Sequence, residues 1–473
     1  MMKDTICALA TAQGGALNVI RMSGENAIEI VSGLFTPKGG VPLTERKSHT
    51  VAFGDMRVGG DEVLDEVLVT IMRAPRSYTG ENTVEISCHA SPYITQQILL
   101  ALISGGARQA APGEFTMRAF LNGKMDLSRA EAVADLIAST SAASHRLAMS
   151  QLKGGFSNEL AMLRNKLLEL TSLMELELDF SEEDVAFADR NELQQLCQEV
   201  ETVISRLASS FSVGNAVKNG IPVAIVGETN VGKSTLLNMF LHEERAIVSD
   251  ICGTTRDTVE GLMTLSGVSF RFIDTAGVRE TADIVEQIGI ERTLEQLGKA
   301  YIALWIIDPL ASKEQIEETA KKLLPVCRGK KLALLVNKCD AVDPITLSNI
   351  MEWSKTLIVK YGNGVEWESD DLWAVSARQG VNIDRVEEFL VRSAAMPSIS
   401  SGDVVVTNVR HYEALVRALE NIGEVKQGLA IGLSGDLVSE HLRAAIRNLS
   451  EIVGELTNDE VLGNIFANFC IGK

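Results

Sequence analysis

Gly227-Glu228-Thr229-Asn230-Val231-Gly232-Lys233-Ser234-Thr235 fits G-x-x-x-x-G-K-[ST], the spacing of a phosphate-binding loop. The apolar run Val223-Ala224-Ile225-Val226 stands before it and reads as a buried parallel strand. Thr235-Leu236-Leu237-Asn238-Met239-Phe240-Leu241 follows and reads as the first turns of a helix. In that context backbone N–H groups of the loop and of the helix start face phosphate oxygens. Lys233 then reaches the β- and γ-phosphates, and the Ser234 hydroxyl ligates Mg²⁺. Asn230, Val231, Gly232, Lys233, Ser234 and Thr235 are the candidate phosphate contacts. The competing reading, a glycine-rich turn, does not account for the strand before and the helix after.

Five further elements follow in order. Gly253-Thr254-Thr255-Arg256-Asp257 places a threonine hydroxyl where it can close on Mg²⁺ and sense the γ-phosphate, the logic of a switch loop. Phe270-Arg271-Phe272-Ile273-Asp274-Thr275-Ala276-Gly277 is a strand ending in D-x-x-G, with Asp274 to hold a metal-bound water and the Gly277 N–H to meet the γ-phosphate. Tyr301-Ile302-Ala303-Leu304-Trp305-Ile306-Ile307-Asp308 reads as another central strand. A fourth ends in Asn337-Lys338-Cys339-Asp340, and Trp373-Ala374-Val375-Ser376-Ala377 ends at a loop continuing to Arg378. N-K-x-D decides the base. A carboxylate at Asp340 accepts from both N1–H and the 2-amino group of guanine, and adenine offers neither there. Asn337 reaches N7 or braces the loop, the Lys338 stem lies along the base, and an N–H of Ser376-Ala377 meets guanine O6. The set resembles a Ras-like GTPase domain, an α/β P-loop fold.

In Ras-like enzymes a Gln after D-x-x-G orients the attacking water. Here that position is Val278, which has no hydrogen-bonding group. The loop beyond it offers Glu280, Asp283 and Glu286, and side-chain chemistry does not choose among them. Arg256 and Arg279 serve equally as arginine fingers in cis or as members of structural ion pairs.

Beyond this region the chain has 473 residues, enough for two to four domains at about 150 residues each. Hydrophobic residues make up 46% and charged residues 23%, which fits a protein with full cores rather than a disordered one. No apolar run reaches the roughly 18 residues of a spanning helix, and the start lacks a signal-peptide layout. The seven cysteines are scattered and never spaced C-x-x-C, which favours a reducing, cytoplasmic setting over disulfides or zinc. Cys470-Ile471-Gly472-Lys473 is not a prenylation box, because Lys does not suit its last place. The formal net charge of −19 argues against broad non-specific binding to nucleic acid.

Texture divides the chain into an α+β N-terminal domain (1–122), a helical part (123–219), the α/β GTPase domain (220–384) and a second helical part (385–473). In the first domain, 5–10, 17–21, 63–72 and 83–88 read as strands, and 25–35 and 91–104 as helices. Leu160, Leu163, Leu167, Leu170 and Met174 step by helical intervals, a seam facing a neighbour. Phe180-Ser181-Glu182-Glu183-Asp184 reads as an acidic break after that helix. Helical texture on both flanks predicts that the GTPase domain is inserted into one all-α helical domain.

Ser77-Tyr78-Thr79-Gly80-Glu81, Ala119-Phe120-Leu121-Asn122-Gly123-Lys124, Thr254-Thr255-Arg256-Asp257, Glu286-Gln287-Ile288-Gly289-Ile290-Glu291 and the closing Phe469-Cys470-Ile471-Gly472-Lys473 together resemble the tRNA-modification GTPase family MnmE (TrmE), over essentially the whole chain. The resemblance implies an N-terminal domain that binds a tetrahydrofolate derivative and forms a homodimer. It implies a heterotetramer with the flavoprotein MnmG (GidA), and aminomethyl or carboxymethylaminomethyl addition at C5 of the wobble uridine of certain tRNAs. It also implies GTP hydrolysis switched on when two GTPase domains meet across K⁺. Carried over position by position, K⁺ ligands fall on Asn230, Ser249, Ile251 and Thr254, and Mg²⁺ ligands on Ser234 and Thr255. Further nucleotide contacts fall on Asp250, Cys252, Gly253, Thr275 and Ala276. Glu286 matches the residue that positions the hydrolytic water. Arg21, Glu85, Lys124 and Lys473 match the folate contacts.

The chain departs from the family pattern at Thr229, where Pro is usual, and at Cys88-His89-Ala90-Ser91-Pro92, where a Gly-Gly pair is common. Cys470 matches the family's C-terminal Cys. An Era-like or EngA-like ribosome-assembly GTPase would carry a basic RNA-binding domain or a second GTPase domain, and an iron-transport GTPase would carry spanning helices. The sequence has none of these.

Overall fold

A computed structural model describes residues 4–12, 14–59, 62–179, 190–242, 261–273, 294, 297–394, 404–457, 459–467, 469–470 and 472. In chain order the first elements are β1 (Thr5–Leu9), β2 (Leu17–Ser23), α1 (Ala27–Ser32), β3 (Phe35–Pro37), β4 (Thr50–Arg57), β5 (Val63–Met72) and β6 (Thr83–His89). Then come α2 (Pro92–Ser104), β7 (Ala107–Gln109), α3 (Glu114–Leu121), α4 (Leu127–Ala138), α5 (Ala142–Leu152), α6 (Gly155–Asp179), α7 (Arg190–Ser209) and α8 (Phe211–Asn219). The middle holds β8 (Ile221–Val226), α9 (Lys233–His242), β9 (Gly261–Leu265), β10 (Val268–Ile273), β11 (Ile302–Ile307), α10 (Lys313–Leu323), β12 (Lys331–Val336) and α11 (Pro344–Tyr361). The last are β13 (Leu372–Ala374), α12 (Ile383–Ser393), α13 (Val409–Ile431), α14 (Gly435–Val453) and α15 (Asp459–Ala467). Two compact units result: Met1–Ala134 with Gln151–Glu201 and Arg417–Lys473, and Asp135–Ser150 with Thr202–Val416.

The first unit is built on a seven-stranded sheet of order β3-β4-β5-β6-β2-β1-β7, antiparallel except for the β1–β7 pair. β5 shows why these residues make a strand: Val67, Val69 and Ile71 alternate into the core, while Leu68 lies on the other face. Val63 shares their parity yet is 40% exposed, because the register with β4 shifts at Met56/Arg57 and releases that end of the strand. The helix predicted over 25–35 is confined to α1. It stops at Gly33, and Phe35 starts β3 opposite Met56, where its ring is buried.

The seam along α6 is buried at all five positions and packs beside α14, whose Val438, Leu442, Ala445, Leu449 and Ile452 step the same way and are also buried. Burying each such leucine contributes about 1.5–3 kcal/mol. The acidic break at 180–184 lies outside the described residues.

The second unit carries a six-stranded sheet of order β13-β12-β11-β8-β10-β9, parallel except for the β9–β10 hairpin. Its central strands are apolar on both faces, as a doubly covered parallel sheet requires. Val223, Ile225, Leu304, Ile306 and Leu335 belong to one core with Phe240 and Phe389. The intervening Ala224, Val226, Ala303, Trp305, Ile307 and Leu334 belong to the other with Ile316 and Leu357. β8 and β12 therefore end at the same sheet edge, where ligands bind in folds of this kind.

Candidate functional site

The phosphate loop leaves β8 at Gly227 and enters α9 at Lys233. Two glycines are demanded by space. Gly227 has φ +152°, and a Cβ there would stand 2.2 Å from the Ile306 carbonyl oxygen. Gly232 has φ +101°, and its Cβ would meet Asn337 Nδ2 at 2.2 Å. Between them Asn230 holds φ 62°, the left-handed region that Asn tolerates best among residues with a side chain, and it is exposed. Val231 packs into the core below, while Ser234 and Thr235 are exposed on the first turn of α9. Lys233 Nζ donates to the carbonyls of Gly227 at 2.7 Å and Glu228 at 2.6 Å, so the ammonium sits over the loop.

The base-reading end is tied to this loop. Asn337, 3% exposed, donates through Nδ2 to Val231 O at 2.7 Å and accepts at Oδ1 from the Ala377 N–H at 2.9 Å. Lys338 holds φ 57° and its Nζ pairs with Asp308 Oδ2 at 2.6 Å. Asp340 is exposed and its Oδ2 accepts from Gln379 Nε2 at 3.4 Å. The Ser376 N–H donates to Val381 O at 3.2 Å, which closes the loop that carries Ala377 and the exposed Arg378. A hydrogen-bonded chain thus runs from the phosphate loop through Asn337 to the loop after β13.

Asp308 was legible only as a strand end. It closes β11 at the same sheet edge as the two motifs, and that position was the signal available. Glu228 is a second such residue: its Oε1 accepts from Thr319 Oγ1 of α10 at 3.0 Å, which anchors the phosphate loop to a neighbouring helix. The candidates within 249–256, within 274–279, and at Glu286 and Lys473 lie outside the described residues.

In the first unit three of the folate candidates, Arg21, Glu85 and Lys124, fall into one neighbourhood. Arg21 on β2 and Glu85 on β6 are cross-strand partners, with Nε to Oε1 at 2.9 Å. Arg21 also donates to Gly472 O at 3.2 Å and lies over the Tyr78 and Phe115 rings at 5.9 and 5.8 Å. Burial pushes the Tyr78 phenol up, against its hydrogen bond with Thr116 at 2.9 Å. Lys124 Nζ donates to Pro75 O at 3.0 Å, beside the turn that carries Tyr78.

Behind this neighbourhood is a charge network that motif reading missed. Arg118, 1% exposed, donates to Asp4 Oδ1 at 2.8 Å, Glu114 Oε1 at 3.0 Å and Glu81 Oε2 at 3.2 Å. Arg108 reaches Glu114 and Asp4 at 2.6 and 2.7 Å. Burial pushes the Glu114 carboxyl up, and the bonds from Arg108, the Ala111 N–H and Arg118 outweigh it, so the group sits below its ordinary value.

A parallel sheet with a phosphate loop after one strand and N-K-x-D after another, the two locked by one asparagine, defines a P-loop protein of the guanine-nucleotide class. The family model described as the MnmE helical domain matches residues 127–470, and that described as the GTP-binding protein TrmE N-terminus matches residues 5–124. The chain belongs to the MnmE (TrmE) family. The tRNA modification GTPase MnmE of Bacteroides fragilis is 54% identical over 474 residues, covering 100% of both chains. The protein of the same description from Bacteroides thetaiotaomicron is likewise 54% identical over 474 residues, with 100% of both chains covered. A crystal structure of Aquifex aeolicus Era bound to GDP·AlF4⁻ aligns with 42% of this chain and 66% of that one, at 25% identity and a TM-score of 0.28. The family assignment rests on the family models and the full-length relatives.

Proposed function

We propose that the chain is a cytoplasmic GTP hydrolase that acts in tRNA modification. The observation that carries this is the Asn337 junction, which joins a phosphate cradle to a guanine-reading loop inside a chain whose full-length relatives bear that description. In this reading Lys233 leaves the Gly227 and Glu228 carbonyls for phosphate oxygens. Asp340 accepts from the guanine N1–H and 2-amino group, and the Ala377 region meets O6.

This reading includes two metals. The exposed Ser234 hydroxyl, on the first turn of α9, suits Mg²⁺ with Thr255 as the second protein ligand. Asn230, exposed and held in the left-handed region within the loop, has a side-chain oxygen suited to K⁺, with Ser249, Ile251 and Thr254 as the further ligands of this reading. When bound, K⁺ supplies beside the phosphates the positive charge that an arginine finger supplies elsewhere. Glu286 positions the attacking water, the task that Val278 leaves open.

In the same reading Arg21, Glu85, Lys124 and Lys473 hold a tetrahydrofolate derivative, the one-carbon donor. The partly exposed Arg21–Glu85 pair beside Tyr78, with the buried Phe115 ring supporting Arg21, suits the charged and aromatic contacts a pterin requires. The chain works as a homodimer and with the flavoprotein MnmG at C5 of the wobble uridine, and association of two GTPase domains switches hydrolysis on. The division into 1–122, 123–219, 220–384 and 385–473 belongs to this reading.

The test is Glu286→Ala together with exchange of K⁺ for Na⁺. Glu286→Ala retains GTP binding and loses turnover, and unchanged turnover would remove Glu286 from the site. Sodium lowers both hydrolysis and GTPase-domain association, and equal rates in the two salts would refute the K⁺ assignment.

A further inference from the structure

The chain carries a net charge of −19, so a polyanion such as tRNA is repelled by most of it. If the chain acts on tRNA, as proposed above, it needs a local surface of the opposite sign. Two segments of the first unit supply one. Residues 41–50 and 72–76 hold four cations, Arg46, Lys47, Arg73 and Arg76, against one carboxylate, Glu45.

The fold brings these segments side by side. The His49 N–H donates to Ile71 O at 2.7 Å, and the Arg73 N–H donates to Ser48 Oγ at 2.9 Å. The guanidinium groups of Arg46 and Arg73 are braced on backbone carbonyls. Arg73 donates to Arg46 O at 3.1 Å and Thr44 O at 2.6 Å, and Arg46 to Val41 O at 3.2 Å. Among the described residues, none of the four cations meets a carboxylate. Elsewhere in this unit Lys166, Lys426 and Arg417 are each paired with a glutamate. Carbonyl oxygens fix a guanidinium without cancelling its charge, so Arg46 and Arg73 are held in place with their charge intact, and four cations against one carboxylate leave the surface positive. Lys47 and Arg76 are exposed.

We propose that Arg46, Lys47, Arg73 and Arg76 form a docking surface for the phosphate backbone of tRNA. Lys124, bonded to Pro75 O in the second segment, links this surface to the neighbourhood of Arg21 and Tyr78. A tRNA held there by its phosphates brings an unstacked anticodon base toward the one-carbon site, while the phosphate contacts themselves carry no sequence information.

The experiment uses the full chain and a transcript of a tRNA with uridine at the wobble position. Affinity is measured from about 50 to about 200 mM KCl, the range in which phosphate contacts reveal themselves by salt dependence. The double variant Lys47→Glu/Arg76→Glu is expected to bind at least about tenfold more weakly, with a salt slope smaller by about 2. The milder Lys47→Gln/Arg76→Gln is expected to show the same slope change with a smaller loss of affinity. GTP turnover without RNA and the thermal melting curve of the full chain are expected to be unchanged in both, which reports an intact fold in both units. Equal affinity and slope in wild type and variants would overturn the surface, as would a wild-type chain that does not retain the transcript. A variant that keeps tRNA affinity but loses a protein partner would overturn it in favour of an acidic protein occupant. The tRNA-modification reading falls separately, if the wobble nucleosides are the same with and without this chain.

Discussion

The side-chain amide of Asn337 donates to the Val231 carbonyl at 2.7 Å, which fastens the base-reading end of β12 to the phosphate loop after β8. The same side chain holds the Ala377 N–H at 2.9 Å. Three loops from distant parts of the sequence are thereby held in one geometry by a buried residue that need not touch the nucleotide.

Asn337→Ala leaves a buried carbonyl and an N–H without that partner, at about 1–3 kcal/mol each. GTP affinity is expected to fall by about 10- to 100-fold. Titration with a fluorescent GTP analogue measures this, and an unchanged affinity would show that the junction does not organise the site.

Lys338 is pinned to Asp308 at 2.6 Å, in a pair that is partly exposed. Such a pair contributes up to about 1 kcal/mol, so Asp308→Asn is expected to weaken GTP binding by less than about tenfold. The loss should exceed any loss of thermal stability, because the pair orients Lys338 rather than a core residue. Parallel binding and melting curves separate the two effects.

Asp340→Asn exchanges the carboxylate acceptor for an amide. The variant is expected to prefer xanthine over guanine nucleotides, because xanthine offers an acceptor where guanine has its 2-amino group. Competition between GTP and XTP measures the switch, and retained guanine preference would show that Asp340 does not read the base.

The Arg118 network gives a pH dependence. Glu114 and Asp4 both sit below their ordinary values, 4.5 and 3.8, because bonds from arginines outweigh the opposing effect of burial. Their stabilisation is therefore fully present above those ordinary values and is lost as the pH falls below them through the lowered values of the folded state. Melting temperature is expected to drop steeply on acidification below about pH 4.5. Arg118→Met leaves Glu114 and Asp4 to Arg108 alone, which removes one charged hydrogen-bonding partner from the buried Glu114 at about 1–3 kcal/mol near neutral pH, and should flatten that acid-side drop. Thermal melts of both proteins across pH test this, and identical profiles would contradict it.

The GTPase fold was legible because its information is local. The doubly apolar strands mark a covered parallel sheet, and Gly227 and Gly232 are the residues a tight loop requires. β5 was legible by alternation, whereas β4 was not, since Val51, Phe53 and Gly54 blur its pattern and its pairing with β5 carries the register. Contacts that depend on three-dimensional proximity stayed hidden. Asp308 is thirty positions from Lys338, and Glu228 is ninety-one from Thr319. Arg118, a charged residue on an amphipathic helix, reads as solvated but is buried by Asp4 and Glu81 from far along the chain. The basic surface escaped composition for a related reason: net charge averages over the whole chain, and only the pairing of β4 with β5 brings Arg46 beside Arg73.

The central claim, a GTP-driven tRNA modification, is tested most directly by the wobble nucleosides of tRNA from cells that lack this chain. Hydrolysed tRNA is expected to lose the C5-substituted wobble uridines, to regain them when the wild-type chain is restored, and to remain without them when the restored chain carries Glu286→Ala. An unchanged nucleoside profile in the cells lacking the chain would contradict the account.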